Sequence, residues 1–311
     1  MLLFIQDKIL LISIILFQHD RHVFCKASYL ILQKKMKNIL VPVDFSEASF
    51  NAVSYAAFLA NAFGSSLTLV HAYTDTSAFN DGLTTKAYDS LEELEAANEK
   101  FLKREISAIA RKFTVKINGI VMKGNAIKVI REVAQKERPD MIIMGMKGKG
   151  ESNSVLGSTT VAMIDETSIP ILIIPKSALY QTVDSITLAS DFRNEKLLSH
   201  FSILEKLIAR FNPFIQILNV QKEDSMWAPE VIASKMRKDL PWDKYNHSFN
   251  IMEKDDVEEG IFRFLRRHPT DLLVMVARRR NFINTMYEPS HTKKMTGQTK
   301  IPLLVLHEDA A

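Results

Sequence analysis

The sequence predicts an α/β protein made of two tandem doubly wound domains, each a five-stranded parallel sheet with helices on both faces. Three observations carry this reading. Short apolar runs alternate with longer segments of helical periodicity, the pattern of a parallel sheet covered on both sides. The same order of runs occurs twice along the chain. A glycine-rich run, residues 145–159 (GMKGKGESNSVLGST), follows directly on one apolar stretch, Asp140-Met141-Ile142-Ile143-Met144.

The first strand is Asn38-Ile39-Leu40-Val41-Pro42-Val43, ending at Asp44. Ser46 is placed to cap a helix over Glu47–Ala62, and Gly64 to end it. The second strand is Leu67-Thr68-Leu69-Val70-His71. Residues 84–112 carry Leu91, Leu94, Phe101, Leu102, Ile106 and Ile109 at helical spacing, and these are expected in the core. Glu92, Glu93 and Glu95 read as a solvated face. Val115–Met122 is the third strand and Ala126–Glu137 the next helix. Pro139 precedes the fourth strand. Ser158, Thr159 and Thr160 open a further helix, and Ile169–Pro175 is the closing strand.

The second copy repeats this order. Asn38–Phe45 aligns with Ser185–Phe192, Leu67–His71 with Ile215–Asn219, Pro139–Met144 with Thr270–Met275, and Ser168–Ile173 with Lys300–Val305. Units of this size make a tandem duplication, since solenoid repeats are far shorter. The helical stripes of this copy are Leu198, Phe201, Leu204, Leu207, Ile208 and Phe211, then Ile261, Phe264 and Leu265. Trp227, Pro229, Pro241 and Trp242 mark an irregular stretch, with the tryptophans read as packing. The domains are therefore 36–176 and 184–311, with a linker over 176–184. The apolar closing strands, Ile171–Ile174 and Leu303–Leu306, are the expected pairing edges of the two halves, because an unpaired apolar edge favours association.

Composition bounds the function. With 311 residues there is room for two ordinary domains. A 47% apolar and 24% charged composition is that of a soluble globular protein. The net charge of +4 gives no reason to expect nucleic acid or a membrane surface as partner. A single cysteine, Cys25, excludes an internal disulfide framework and fits a cytoplasmic protein. Residues 1–35 contain two short apolar runs, 1–5 and 9–17, whereas a bilayer span takes ~20 residues. The charge placement and cleavage site of a secretory signal are not clear there. Met36 stands immediately before the first strand and is read as the true start, with 1–35 a mis-called extension.

Glycines past a strand end let backbone N–H groups approach an anion, and the helix N-terminus that follows favours phosphate. The run resembles the nucleotide loop of the universal stress protein family: a glycine, two residues, a glycine, nine residues, a glycine, then Ser or Thr. Gly145, Gly148, Gly157 and Ser158 occupy that pattern, with eight residues rather than nine between Gly148 and Gly157. The first strand ending in Asp44-Phe45-Ser46, the segment Leu69-Val70-His71-Ala72 and the closing strand Ile169–Pro175 are similar to the same family's elements. The resemblance covers about 36–175 strongly and 184–308 more weakly.

What the resemblance implies is an adenine nucleotide site for an ATP-like ligand. Asp44 contacts the nucleoside, Ala72 offers backbone groups to adenine, and Gly145, Gly148, Gly157, Ser158 and Thr159 cradle the phosphates. Pro42 and Met144, at the ends of their strands, complete the implied set. Lys147 and Lys149 are candidate additional charges. From the residues alone, Asp44 reads equally as helix N-terminal chemistry beside Ser46.

In the second copy Val276, Arg279 and Pro289 stand where the first has Gly145, Gly148 and Gly157, although Asp191, Ser290 and Thr292 remain. That copy is expected to be a structural and pairing half. No catalytic set is present: His71 and His291 are isolated, no Cys/His cluster has metal spacing, and the loop lacks the G-K-[ST] ending of a P-loop. The expectation is a non-catalytic stress-response protein that binds an adenine nucleotide in its first half and acts through contacts with an unnamed protein partner. The alternative is an interaction scaffold whose sites have decayed in both halves.

Overall fold

The computed structural model describes residues 36–74, 79–80, 85–86, 90–146, 158–191, 202–221, 231, 234, 245–277, 291–296 and 298–307. The chain divides into two units, 1–35 and 36–311, and every described residue lies in the second. Residues 1–35, most of the glycine run, Trp227, Pro229, Pro241 and Trp242 lie outside the described residues.

Ten strands form one sheet. In the first half they are β1 (Asn38–Pro42), β2 (Ser66–Tyr73), β3 (Ile117–Lys123), β4 (Met141–Met146) and β5 (Ile171–Pro175). In the second they are β6 (Ser185–Ala189), β7 (Phe214–Gln221), β8 (His247–Glu253), β9 (Leu272–Ala277) and β10 (Leu303–His307). The order across the sheet is β8-β7-β6-β9-β10-β5-β4-β1-β2-β3. Each half is parallel throughout, and the halves meet where β5 and β10 pair antiparallel. Leu172 pairs with Leu304, its own equivalent in the duplicated sequence. A pseudo-two-fold axis therefore passes through that residue pair, as a duplicated domain that reuses one contact requires. A two-residue antiparallel ribbon, Phe79–Asn80 with Thr85–Lys86, stands apart from this sheet.

The described helices are α1 (Glu47–Phe63), α2 (Leu91–Ala110), α3 (Ala126–Glu137), α4 (Ser158–Glu166), α5 (Ser202–Phe211), α6 (Val257–Leu265) and α7 (His291–Thr296). Strand residues alternate between two cores, which is why the strands read as continuous apolar runs. Ile39, Val41, Met141, Ile143, Leu172 and Ile174 pack with α1, α2 and α5. Leu40, Ile142, Met144, Ile171 and Ile173 pack with α3, α4, α6 and α7.

Local signals act as the sequence predicts at α1. Ser46 accepts the Ser49 N–H at 3.3 Å, and Gly64 ends the helix in the left-handed conformation at φ 63°. At α2 they do not. Leu91 is 49% exposed, whereas Asn98 and Glu105 are buried with Leu94, Leu102 and Ile109. The inward face thus contains two polar residues that an apolar pattern cannot reveal.

The halves are tied beyond the central strand pair. Lys206 of α5 meets Asp140 at 2.6 Å, Arg210 donates to the Ala62 carbonyl at 2.7 Å, and Phe63 meets Phe211 edge-on. On the opposite face Lys293 pairs with Asp165, and the buried His307 meets the Ile164 carbonyl at 2.9 Å. Asp140 and its equivalent Asp271 do the same local work. The first accepts the N–H groups of Lys37 and Asn38, the second those of Asp184 and Ser185.

Candidate functional site

In an open parallel sheet, ligands bind beyond the carboxyl ends of the strands where the order reverses. In the first half that point lies between β1 and β4, which neighbour each other at the middle of the order β5-β4-β1-β2-β3. Asp44 follows β1 there. Ile39 pairs with Met141 and Leu40 with Ile142, so continuing the register sets Gly145 level with Val43.

Pro42 ends β1 opposite Val70 and is half-buried. Asp44 is exposed, and its Oδ1 accepts the Ser46 N–H at 3.0 Å, while its own N–H donates to Ser49 Oγ at 3.3 Å. This is the local helix-entry role that the residues alone allow. Phe45, between them, has φ 59°, a conformation that costs a non-glycine residue energy and turns the chain sharply into α1. Its ring lies 4.3 Å from His71 and 5.8 Å from Phe101.

Ala72 is half-buried near the end of β2, paired with Met122 of β3. Met144 is buried in β4 opposite Ile173. Gly145 is a strand residue rather than the first of a loop, since β4 runs on to Met146 and Gly145 pairs with Ile174. Its lack of a side chain has a packing cause: a Cβ there would lie 2.2 Å from the Ala48 carbonyl oxygen. Its own carbonyl accepts the Thr160 hydroxyl at 3.2 Å, tying β4 to α4. Ser158 is the first residue of α4, and Thr159 follows in the same turn, half-buried. Gly148, Gly157, Lys147, Lys149 and the Ser158 side chain lie outside the described residues.

The structure therefore brings Asp44, the N-terminus of α1 and Gly145 together at the switch point, with Ala72 on the neighbouring strand. It also shows residues behind the site that pattern reading missed. His71, read as isolated, holds the Val43 carbonyl through Nδ1 at 2.7 Å. Burial lowers its pKa; the Val43 hydrogen bond, the Asn98 side chain and the Asp44 charge oppose that without overcoming it. In the second half Asn219 Nδ2 donates to the equivalent Ser190 carbonyl at 3.0 Å. His291 is not isolated either: its Nδ1 lies 2.9 Å from the buried Glu258 carboxylate. Among the described residues no group of His, Cys, Asp and Glu has metal-binding geometry, and no helix is long and apolar enough to cross a membrane.

Comparison with known proteins agrees with this architecture. A sequence profile of the universal stress protein family matches residues 35–175. A universal stress protein of Methanocaldococcus jannaschii is 27% identical over 141 residues, 45% of this chain and 82% of that one. One of Thermus aquaticus is 29% identical over 139 residues, 44% of this chain and 98% of that one. The crystal structure of a universal stress protein from Archaeoglobus fulgidus covers 88% of this chain and 98% of its own, with a TM-score of 0.70 at 15% identity. That last likeness speaks for the fold over both halves, while the sequence matches speak for the first. Residues 35–175 thus match the universal stress protein family, over somewhat less than half of the chain.

Proposed function

We propose that the first half binds an adenine nucleotide, ATP-like, at the carboxyl end of its sheet, and that the protein acts through protein contacts without catalysis. The observation that carries this reading is the convergence at the switch point of Asp44, the α1 N-terminus and Gly145, whose carbonyl is held by Thr160 of α4. An exposed carboxylate there is an acceptor for paired sugar hydroxyls. The end of β2 at Ala72 supplies backbone polar groups at the height of a base. The first turn of α4 supplies helix N–H groups for phosphate. The second half, with Val276 in place of Gly145, is the pairing half.

A second reading is a fold-retaining scaffold with no nucleotide. Two observations favour it: the loop is one residue shorter than the family pattern, and Gly145 has a sufficient reason for being glycine in its contact with Ala48. Calorimetric titration of the full chain with ATP at millimolar concentration separates the two. Saturable heat supports the nucleotide reading. Silence from folded protein supports the scaffold.

A further inference from the structure

Glu105 is the one acidic residue on the inward face of α2, and it is 4% exposed. Among the described residues, neither of its carboxylate oxygens has a hydrogen-bond partner. Its face-mates Leu102 and Ile109 are buried in the core between α2 and the sheet. Helix α2 packs on β3 and β2, and it rides close over Gly119 of β3, where a Cβ would come 2.7 Å from Ile106. An ionised carboxylate without partners in such a place costs several kcal/mol, so the group stays protonated or the helix gives way.

Among the described residues, the groups around it do not supply a countercharge. On α2 itself Lys103 is exposed and paired with Glu99, and Arg104 is exposed over the Phe101 ring. The titratable groups of β2 are His71 and Tyr73, and that of β3 is Lys123, exposed at the strand's far end. Lys116, just before β3, is exposed. The charge that bears on Glu105 is Asp44, of the same sign, and it adds to the effect of burial. Together they push the Glu105 carboxyl from its ordinary 4.5 to about 7.

We propose that Glu105 is a proton-controlled latch for α2: the helix is held against the sheet with Glu105 protonated, and it opens more readily as Glu105 loses its proton. The sign follows from linkage. An opened α2 exposes Glu105 to water, where it ionises above its ordinary value, while the docked helix keeps the proton until about pH 7. Between those two values the open population rises about tenfold per pH unit, and above the higher value it levels off, because both forms are then ionised. Acidification from neutral pH therefore tightens α2. The helix also supports the candidate site from behind, through Phe101 against Phe45 and Asn98 beside His71. The latch itself stands whether or not that site takes a nucleotide.

Hydrogen exchange read by mass spectrometry tests this on the full chain between pH 5 and pH 8, corrected for the intrinsic pH dependence of exchange. Peptides over 91–110 should lose protection roughly tenfold per pH unit up to about pH 7 and then level off. Peptides over 126–137, which lie on the opposite face of the sheet, should not follow that course. In Glu105→Gln, which keeps the shape and removes the titration, the α2 slope should vanish. Wild-type α2 protection that follows 126–137 at every pH, or a slope that survives in Glu105→Gln, overturns the latch. Should that variant not fold, an NMR titration of the Glu105 side-chain carboxyl in the wild type decides alone. A midpoint near 7 upholds the proposal and a midpoint near 4.5 overturns it.

Discussion

Gly145 lies directly beneath the Ala48 carbonyl, so close that a Cβ on the glycine would stand 2.2 Å from the oxygen and 3.0 Å from the Ser49 nitrogen. Both obstructing groups are backbone in the first turn of α1, and neither can swing aside as a side chain does. Gly145→Ala must therefore push α1 off β4. The expected cost is about 1–3 kcal/mol, the usual range for overpacking, seen as a lower urea midpoint with or without ATP present. Wild-type stability in that variant would show that α1 has room to move.

Asn51 clamps the linker between the halves. Its Nδ2 donates to the carbonyls of Pro175, Lys176 and Ala178 at 3.0, 3.2 and 2.7 Å. Just beyond, Tyr180 stacks on Phe58 at 4.5 Å, and Leu179 stands 82% exposed. Asn51→Ala removes the side-chain donor from all three carbonyls, of which Pro175 keeps the Ala178 N–H, and should cost about 1–3 kcal/mol. Limited proteolysis gives a sharper readout: cleavage beside Leu179 and Tyr180 should quicken in the variant, and an unchanged cleavage rate would refute the clamp.

The strands and the duplication are legible in the sequence because a two-sided parallel sheet writes itself as unbroken apolar runs, and this one is written twice. The pairing of Leu172 with Leu304 follows from that symmetry. The cap at Ser46 and the stop at Gly64 are local chemistry, and local chemistry is visible. What escapes is contact between distant segments. Gly145 reads as a loop glycine because the reason for it, Ala48, lies almost a hundred residues away. Asn98 and Glu105 go unmarked because polar residues on an inward face break the periodicity that would place them there. His71 reads as isolated because its partner is a backbone carbonyl, which has no residue signature. Of the candidate site, Asp44, Ala72 and Gly145 were legible as positions, and the ring of Phe45 behind them was not.

Asp140 makes the junction of the halves sensitive to acid. Burial disfavours its charge, but Lys206 at 2.6 Å and the N–H groups of Lys37 and Asn38 outweigh this and hold its pKa below the ordinary 3.8. A depressed folded pKa means the stabilisation is complete above the ordinary value and is lost as pH falls through the depressed one. Asp140→Asn should lower stability at pH 7 by about 1.5–3 kcal/mol, the range for hydrogen bonds to a charged group. It should also flatten the loss of stability below pH 4. An unchanged acid limb in the variant would place the acid-sensitive group elsewhere.

Asp44 carries two roles that one pair of substitutions separates. Its carboxylate accepts the Ser46 N–H at the entry to α1, and under the proposed function it accepts from the nucleoside as a charge. Asp44→Asn keeps an acceptor oxygen for the turn and removes only the charge; Asp44→Ala removes both. If the first half binds ATP, both should weaken binding. Asp44→Ala should do so by on the order of tenfold to a hundredfold, equivalent to about 1.5–3 kcal/mol. Thermal stability should fall in Asp44→Ala and stay near wild type in Asp44→Asn. Asp191→Ala, at the equivalent place in the second half, should leave binding as it is, because Val276 stands there in place of the glycine. Calorimetry on the four proteins gives the answer. Equal loss through Asp191 would move the site to the second half, and wild-type silence would leave Asp44 with its turn-forming role alone.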